Sequence, residues 1–159
     1  MGVFVLIIFG AKVSGSHYNP CVTLAFMLRR DTGKFSRALG FAYIIFQMVG
    51  GFLGGLLAYL FIQGPAKFGI ADDTDVIFAI ISEAIGSFFL ALLYLTQTEN
   101  KTKLSADPAL TTLIIASAYI GALLMVSGPQ DYLACLNPAV ALGASFEQTY
   151  HSTTTIFGW

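Results

Sequence analysis

Two short stretches of the sequence, Asn19-Pro-Cys-Val-Thr-Leu24 and Asn137-Pro-Ala-Val-Ala-Leu142, carry Asn, Pro, Val and Leu at matching places. Asn followed by Pro is a typical helix start, because the Asn side chain caps the first turn and Pro fits the first helical position without losing a hydrogen bond. An internal repeat of this kind indicates a protein built from two related halves. The repeat therefore predicts two helices that begin at equivalent points of the two halves.

The composition places the chain in a membrane. Of its 159 residues 56% are hydrophobic and 11% are charged, and the mean hydropathy is +0.75. Soluble domains are about 25% charged, and a soluble core of this length cannot bury so much apolar surface. We therefore predict an all-α, multi-pass integral membrane protein formed by one domain over residues 1–159. Three segments reach the roughly 20 residues that cross a bilayer, namely 38–62, 76–95 and 109–126.

The two Asn-Pro helices are predicted to be re-entrant half-helices, over residues 19–30 and 138–146, with the second ending near Phe146 to Thr149. Each covers about half the thickness of a bilayer. Residues 1–13 are interpreted as the end of a further helix. Because three crossings separate the half-helices, they enter from opposite faces. This arrangement is typical of an inverted repeat, whose functional site lies at the midplane.

The basic residues divide unequally between the two predicted membrane faces. Seven of the eight Lys and Arg residues fall on one face, whereas Asp72, Asp73, Asp75 and Asp131 gather on the other with Lys67. Such an asymmetry predicts that the basic face is cytoplasmic, or faces the matrix if the membrane is the mitochondrial inner one. The basic set is Lys12, Arg29, Arg30, Lys34, Arg37, Lys101 and Lys103.

The sequence offers little support for other classes of protein. A net charge of −1 gives no reason to expect nucleic acid. No His, Cys and Asp cluster has metal-ligand spacing, and no carboxylate near Ser16 and His17 completes a catalytic triad. The glycines between Gly50 and Gly55 lie inside an apolar span and predict close packing of a neighbouring helix. We therefore expect neither an enzyme nor a cofactor. Cys21 and Cys135 form either a disulfide or a pair of small buried fillers, and the second interpretation is favoured.

Four stretches of the chain resemble the aquaporin and glycerol-facilitator family. They are similar to its first Asn-Pro loop, its third helix, the start of its fourth helix and its second Asn-Pro loop. The stretches are Ser14-Gly-Ser-His-Tyr-Asn-Pro-Cys-Val-Thr23, Tyr43-Ile-Ile-Phe-Gln47 with Gly50-Gly51, Glu83-Ala-Ile-Gly-Ser-Phe-Phe-Leu90, and Leu136-Asn-Pro-Ala-Val-Ala-Leu-Gly143. The resemblance implies a channel for water or small neutral solutes such as glycerol, working as a homotetramer in membrane lipid. It also implies that two opposed helix N-termini with two Asn amides repel cations and admit neutral hydrogen-bonding solutes.

The resemblance assigns roles to individual residues. The pore motifs are Asn19, Pro20, Cys21, Asn137, Pro138 and Ala139. The pore-lining groups are Gly15, Ser16, His17, Ala134, Cys135 and Leu136, most of them through backbone carbonyls. His17 has an alternative interpretation as a packed loop histidine. Gln47 and Glu83 are structural polar residues, and Glu83 braces a re-entrant loop, since a carboxylate buried in a membrane helix needs a partner.

The chain also departs from the family pattern. The family places Arg three residues after the second Asn, whereas this sequence has Val140, and the other constriction residue aligns loosely with Ala122. These residues predict a wide, apolar, uncharged constriction. The family's first helix, most of its second and nearly all of its sixth have no counterpart here, so we expect an incomplete aquaporin-like fold. A second hypothesis follows, in which the chain is a non-conducting structural subunit of a larger membrane assembly.

Overall fold

The computed structural model describes residues 2–30, 35–62, 76–127 and 134–157, the last eight of these as backbone only. Over these residues the chain is helical, as predicted, with loops between the helices. The helices in chain order are α1 Gly2–Ser14, α2 Pro20–Leu28, α3 Arg37–Ile62, α4 Val76–Thr98, α5 Pro108–Val126 and α6 Pro138–Phe157. The charge asymmetry stays a prediction, because several of its residues lie outside the described part of the chain. These are Lys34, Lys67 and the four aspartates of the face with fewer basic residues.

Three of the helices, α3, α4 and α5, are long and apolar enough to cross a membrane, which confirms the predicted number of spans. Pro occurs in them only at the first position of α5, where Asp107 accepts a hydrogen bond from the Ala109 backbone N–H at 2.8 Å. Such a start costs no helical hydrogen bond. Many large apolar side chains on these helices are exposed. This exposure suits contact with lipid, in which only the backbone needs internal hydrogen bonds.

The helices that follow the two Asn-Pro pairs differ in length. The first, α2, has 9 residues and ends at Leu28. The second, α6, has 20 residues and continues to Phe157, beyond the end that the sequence predicted near Phe146. The physical reason is that residues 147–157 contain neither Pro nor Gly, so nothing in the local sequence interrupts the helix. Of the two Asn-Pro helices, α2 is therefore the one as short as the predicted half-helix.

The helices pack around the point where α2 and α6 begin. α2 contacts α3 and α4, α6 lies along α3, and α5 lies between α1 and α4. Apolar side chains from α1, α2, α4 and α5 form a core with Leu136, which is fully buried in the loop before α6. The core thus lies beside the two Asn-Pro starts and fixes their position.

Glycines allow α3 and α6 to touch through their backbones. A Cβ atom on Gly51 would overlap the Ala139 carbonyl, and one on Gly55 would overlap the Gly143 carbonyl. Gly143 in turn lies against the backbone of Gly51. By contrast, a Cβ atom on Gly54 would meet nothing within 4 Å. The glycine-rich part of α3 therefore has one face packed against α6 and one open face, and the packed face aligns α6 with the centre of the structure.

We expect Gly55→Ala to destabilise the protein by about 1–3 kcal/mol, because the added methyl group collides with backbone that has no rotamer to change. The matched control is Gly54→Ala on the open face of the same helix, which changes stability by less than about 1 kcal/mol. Thermal unfolding in detergent measures both. Equal melting temperatures for the two variants would show that the glycine contact does not hold α6 in place.

Candidate functional site

The two Asn side chains each bind the loop in front of the other. Asn19 donates from Nδ2 to the Leu136 carbonyl at 2.7 Å, and Asn137 donates from Nδ2 to the Tyr18 carbonyl at 2.9 Å. Leu136 directly precedes Asn137, and Tyr18 directly precedes Asn19. The contact is therefore reciprocal, and it joins the N-termini of α2 and α6 end to end.

Each Asn amide is left with one N–H that these bonds do not use. The side-chain oxygen of Asn19 accepts the Cys21 N–H at 2.8 Å, and that of Asn137 accepts the Ala139 N–H at 3.1 Å, so both oxygens cap their own helix. An amide has two N–H donors, and the opposite loop takes one of them. A cavity of about 190 Å³ is lined by both Asn residues. Each Asn residue thus keeps one amide donor outside the junction and contributes to the wall of this cavity.

The residues before the two Asn have an unusual backbone. Tyr18 has φ 44° and Leu136 has φ 53°, both in the left-handed region that costs non-glycine residues roughly 1–3 kcal/mol. Their carbonyls are the ones that accept the two reciprocal Asn bonds. The strained conformation turns each carbonyl toward the opposite half. The surrounding helices must therefore hold both loops firmly.

Two helices hold the second loop. The Glu83 carboxylate on α4 accepts the N–H of Cys135 at 2.7 Å through one oxygen and that of Leu136 at 2.8 Å through the other. Tyr119 on α5 donates its hydroxyl to the Cys135 carbonyl at 3.2 Å. Both backbone N–H groups in front of Asn137 thus end on one charged acceptor, which makes them strong hydrogen bonds.

Different side chains hold the first loop. The Tyr94 hydroxyl on α4 lies 2.7 Å from the Gly15 carbonyl and 2.8 Å from the Ser16 carbonyl, so its proton is shared between them. The Ser16 hydroxyl donates to the Ile7 carbonyl on α1 at 3.0 Å. Three of the carbonyls predicted to line a pore, those of Gly15, Ser16 and Cys135, therefore already accept a tyrosine hydroxyl. Each keeps a second lone pair for another donor.

His17 is packed against aromatic rings and also lines both cavities. Its side chain is 7% exposed and contacts the rings of Phe26 and Tyr94, with centroids 4.3 and 6.1 Å away. Its Nδ1 lies 3.2 Å from the hydroxyl of Thr23, which also accepts a hydrogen bond from Gln47 Nε2 at 2.9 Å. The ring lines the first cavity and also a second one of about 480 Å³. The two interpretations of His17 from the sequence are therefore compatible.

The predicted constriction residues separate in the structure. Val140 is 38% exposed and lines both cavities. Ala122 is 5% exposed in the hydrophobic core and lines neither of them, because its face of α5 is turned toward the core cluster. Its assignment as a constriction residue, which rested on a loose alignment, stays a prediction. Both cysteines are free thiols, which agrees with their interpretation as small fillers.

Sequence reasoning missed Thr23, Tyr94 and Tyr119. A signal was present for the two tyrosines, because a hydroxyl inside an apolar span must find a polar partner. Thr23 has a weaker signal, since a helical Thr also bonds well to its own backbone, as it does here to the Asn19 carbonyl at 3.1 Å. Within the described part of the chain no group of His, Cys, Asp or Glu is arranged to hold a metal ion.

The fold and the site define an integral membrane protein in which two Asn-Pro helices of an internal repeat abut at their N-termini. The chain belongs to the major intrinsic protein family, whose model matches residues 1–158. It is 31% identical to Aquaporin TIP1-2 from Musa acuminata over 144 residues, covering 89% of this chain and 54% of that protein. It is 29% identical to Probable aquaporin PIP2-5 from Arabidopsis thaliana over 154 residues, covering 90% and 51%.

A bacterial relative is equally similar. Aquaglyceroporin AqpS from Rhizobium meliloti (strain 1021) is 31% identical over 147 residues, covering 92% of this chain and 57% of that protein. The chain spans about half the length of the curated relatives it matches.

We expect Glu83→Gln to loosen the second loop, because an amide offers one acceptor where two N–H groups need an oxygen each. The loss is about 1–3 kcal/mol. The matched control is Glu99→Gln, which breaks a half-exposed ion pair with Arg29 and costs less than about 1 kcal/mol. Backbone hydrogen–deuterium exchange over residues 134–137 reports the loop directly. Exchange should be faster in Glu83→Gln than in Glu99→Gln, and equal rates would show that Glu83 does not brace the loop.

Proposed function

We propose that this chain forms the central part of a channel for water or small neutral solutes, with the path passing the two Asn amides. The observation that carries the proposal is the reciprocal bonding of Asn19 and Asn137. It fixes both amides in place and leaves one donor of each outside the junction, in residues that line a cavity. A hydroxyl group or water molecule that passes through this cavity would accept from these donors.

The charge pattern around the cavities supports a neutral solute. Among the described residues, those that line the two cavities include no Asp, Glu, Lys or Arg. The N-termini of α2 and α6 both point at the Asn pair, and each carries about half a positive charge. A cation at this point would lose its water and face two positive helix ends and two N–H donors. A neutral solute with a lone pair has no such penalty.

The walls also support a solute that is partly apolar. The cavity with the Asn pair is lined on its other side by apolar residues of α1, α4 and α5 such as Leu6, Leu90 and Ile115. Two of the relatives are named aquaporins and one is named an aquaglyceroporin. Water and small polyols are consistent with both the walls and these names. We also infer that the protein assembles as a homotetramer in the membrane.

A combined Asn19→Asp and Asn137→Asp variant should lose conduction. Asp still caps each helix through an oxygen, but it places a carboxylate against the opposite carbonyl and removes the free donor. Osmotic swelling of proteoliposomes measures the effect, and the expected rate is that of bare lipid. The matched control is Asn100→Asp, in the exposed loop after α4, which should swell like the unaltered protein. Unchanged swelling in the double variant would remove the Asn pair from the path.

Val140 favours a second candidate function, a non-conducting structural subunit of a larger membrane assembly. It lies at the cavity wall where related channels have a fixed positive charge, so the path here lacks a charge that selects solutes. A chain that no longer conducts has no need for that charge. Absence of swelling above bare lipid, from protein shown to be folded, would favour this alternative over the channel.

If the channel conducts, Val140→Arg should exclude ions and larger solutes while water still passes. The guanidinium group narrows the passage past residue 140 and adds a full positive charge beside the helix ends. Stopped-flow light scattering compares permeability to water, glycerol and small cations. The matched control is Val140→Met, which is similar in length and uncharged. An identical permeability profile for all three proteins would show that solutes do not pass Val140.

A further inference from the structure

We propose that Tyr18 sets the size of the largest solute that passes the Asn pair, because it is a large residue in the wall of both cavities. This inference rests on the proposed channel function. Tyr18 is one of three residues that line both cavities, together with His17 and Val140. His17 is a buried ring, and Val140 has a short side chain. Among the three residues, Tyr18 is therefore the one whose side chain is both large and substantially exposed, at 44%.

Tyr18 is held at both ends. Its backbone carbonyl accepts the Asn137 amide at 2.9 Å, so the base of the side chain is fixed to the junction of α2 and α6. Its hydroxyl donates to the Leu6 carbonyl on α1 at 3.3 Å. The ring thus reaches from the centre of the site to a neighbouring helix. A side chain held at both ends in this way does not swing freely within the open space.

Gly10 on α1 leaves space for the Tyr18 hydroxyl. A Cβ atom at this position would overlap the Tyr18 hydroxyl, and it would lie 2.6 Å from the Ser16 hydroxyl. The absence of a side chain at Gly10 therefore allows the Tyr18 ring to contact α1. The end of the ring fills the space at Gly10 closely, which indicates one defined position for Tyr18.

The position of Tyr18 has a consequence for solute size. The two cavities measure about 190 and 480 Å³, and the smaller one is lined by both Asn residues. A solute that reaches the Asn donors must fit the smaller space as long as the Tyr18 side chain separates it from the larger. Shortening the side chain joins the two spaces without removing an Asn bond, since Asn137 bonds the Tyr18 carbonyl and Asn19 bonds the Leu136 carbonyl. The solute class is small polyols, which have both the acceptors for the Asn donors and the donors for the loop carbonyls.

The experiment compares Tyr18→Leu, Tyr18→Asn and Tyr18→Phe with the unaltered protein in proteoliposomes. Swelling is measured with water, glycerol, erythritol and xylitol. Leu and Asn both shorten the side chain and differ in polarity, and Asn tolerates the positive φ, so at least one of them is expected to fold. Both should raise the permeability to xylitol about tenfold, which corresponds to a barrier lower by roughly 1.4 kcal/mol. Tyr18→Phe keeps the ring and should stay within about twofold for every solute.

The outcomes separate this inference from the channel proposal. Conduction by all proteins with an unchanged size limit in Leu and Asn would overturn the role of Tyr18 and leave the channel in place. Conduction only in the two short variants would support Tyr18 as the barrier while showing that the unaltered path is closed. Swelling equal to bare lipid in every protein, each shown to be folded, would overturn both. An equal rise in Tyr18→Phe would mean that the hydroxyl bond and not the ring sets the limit, which also contradicts the inference.

Discussion

The structure depends on a pair of hydrogen bonds, from the Asn19 and Asn137 amides to the carbonyls of Leu136 and Tyr18. Two helix N-termini that meet end to end repel each other, and each has several backbone N–H groups without a partner within its own helix. The reciprocal bonds offset this by linking each amide to the loop of the other half. Because the amides are neutral, no counter-charge has to be buried with them. The same bonds require the left-handed backbone at Tyr18 and Leu136, so the strain and the junction form one feature.

The surrounding helices explain how this strain persists. Glu83 and Tyr119 hold the loop before Asn137, whereas Tyr94 and Ser16 hold the loop before Asn19. The two halves therefore reach the same backbone geometry with different chemistry. One loop is held through its N–H groups by a charged acceptor, and the other through its carbonyls by a hydroxyl donor. In the first case two N–H groups bond the two oxygens of one carboxylate, and in the second two carbonyls share one hydroxyl.

The sequence predicted the starts of α2 and α6 well, because Asn-Pro fixes a helix start by local chemistry alone. It also predicted the three membrane spans, since length and apolar composition decide them. It did not predict the length of α6, where the local sequence contains no breaker and the end depends on what surrounds the helix. The burial of Ala122 in the core was not predicted for a related reason, because the face that a residue of an apolar helix presents depends on packing. Tyr119 and Tyr94 bond carbonyls 16 and 79 residues away, and Thr23 bonds Gln47 24 residues away, so the sequence alone does not identify these partners.

Packing also explains why the site has open space at all. Gly51, Gly55 and Gly143 bring α3 and α6 into backbone contact, which leaves no room there for side chains. On the other side of the Asn pair, the smaller cavity is lined by larger side chains of α1 and α5. The larger cavity lies on the α3–α6 side, where Gly50, Gly51 and Ala139 line it and the missing side chains of the two glycines leave room. Open space therefore lies on both sides of the loop before Asn19, whose His17 and Tyr18 line both cavities.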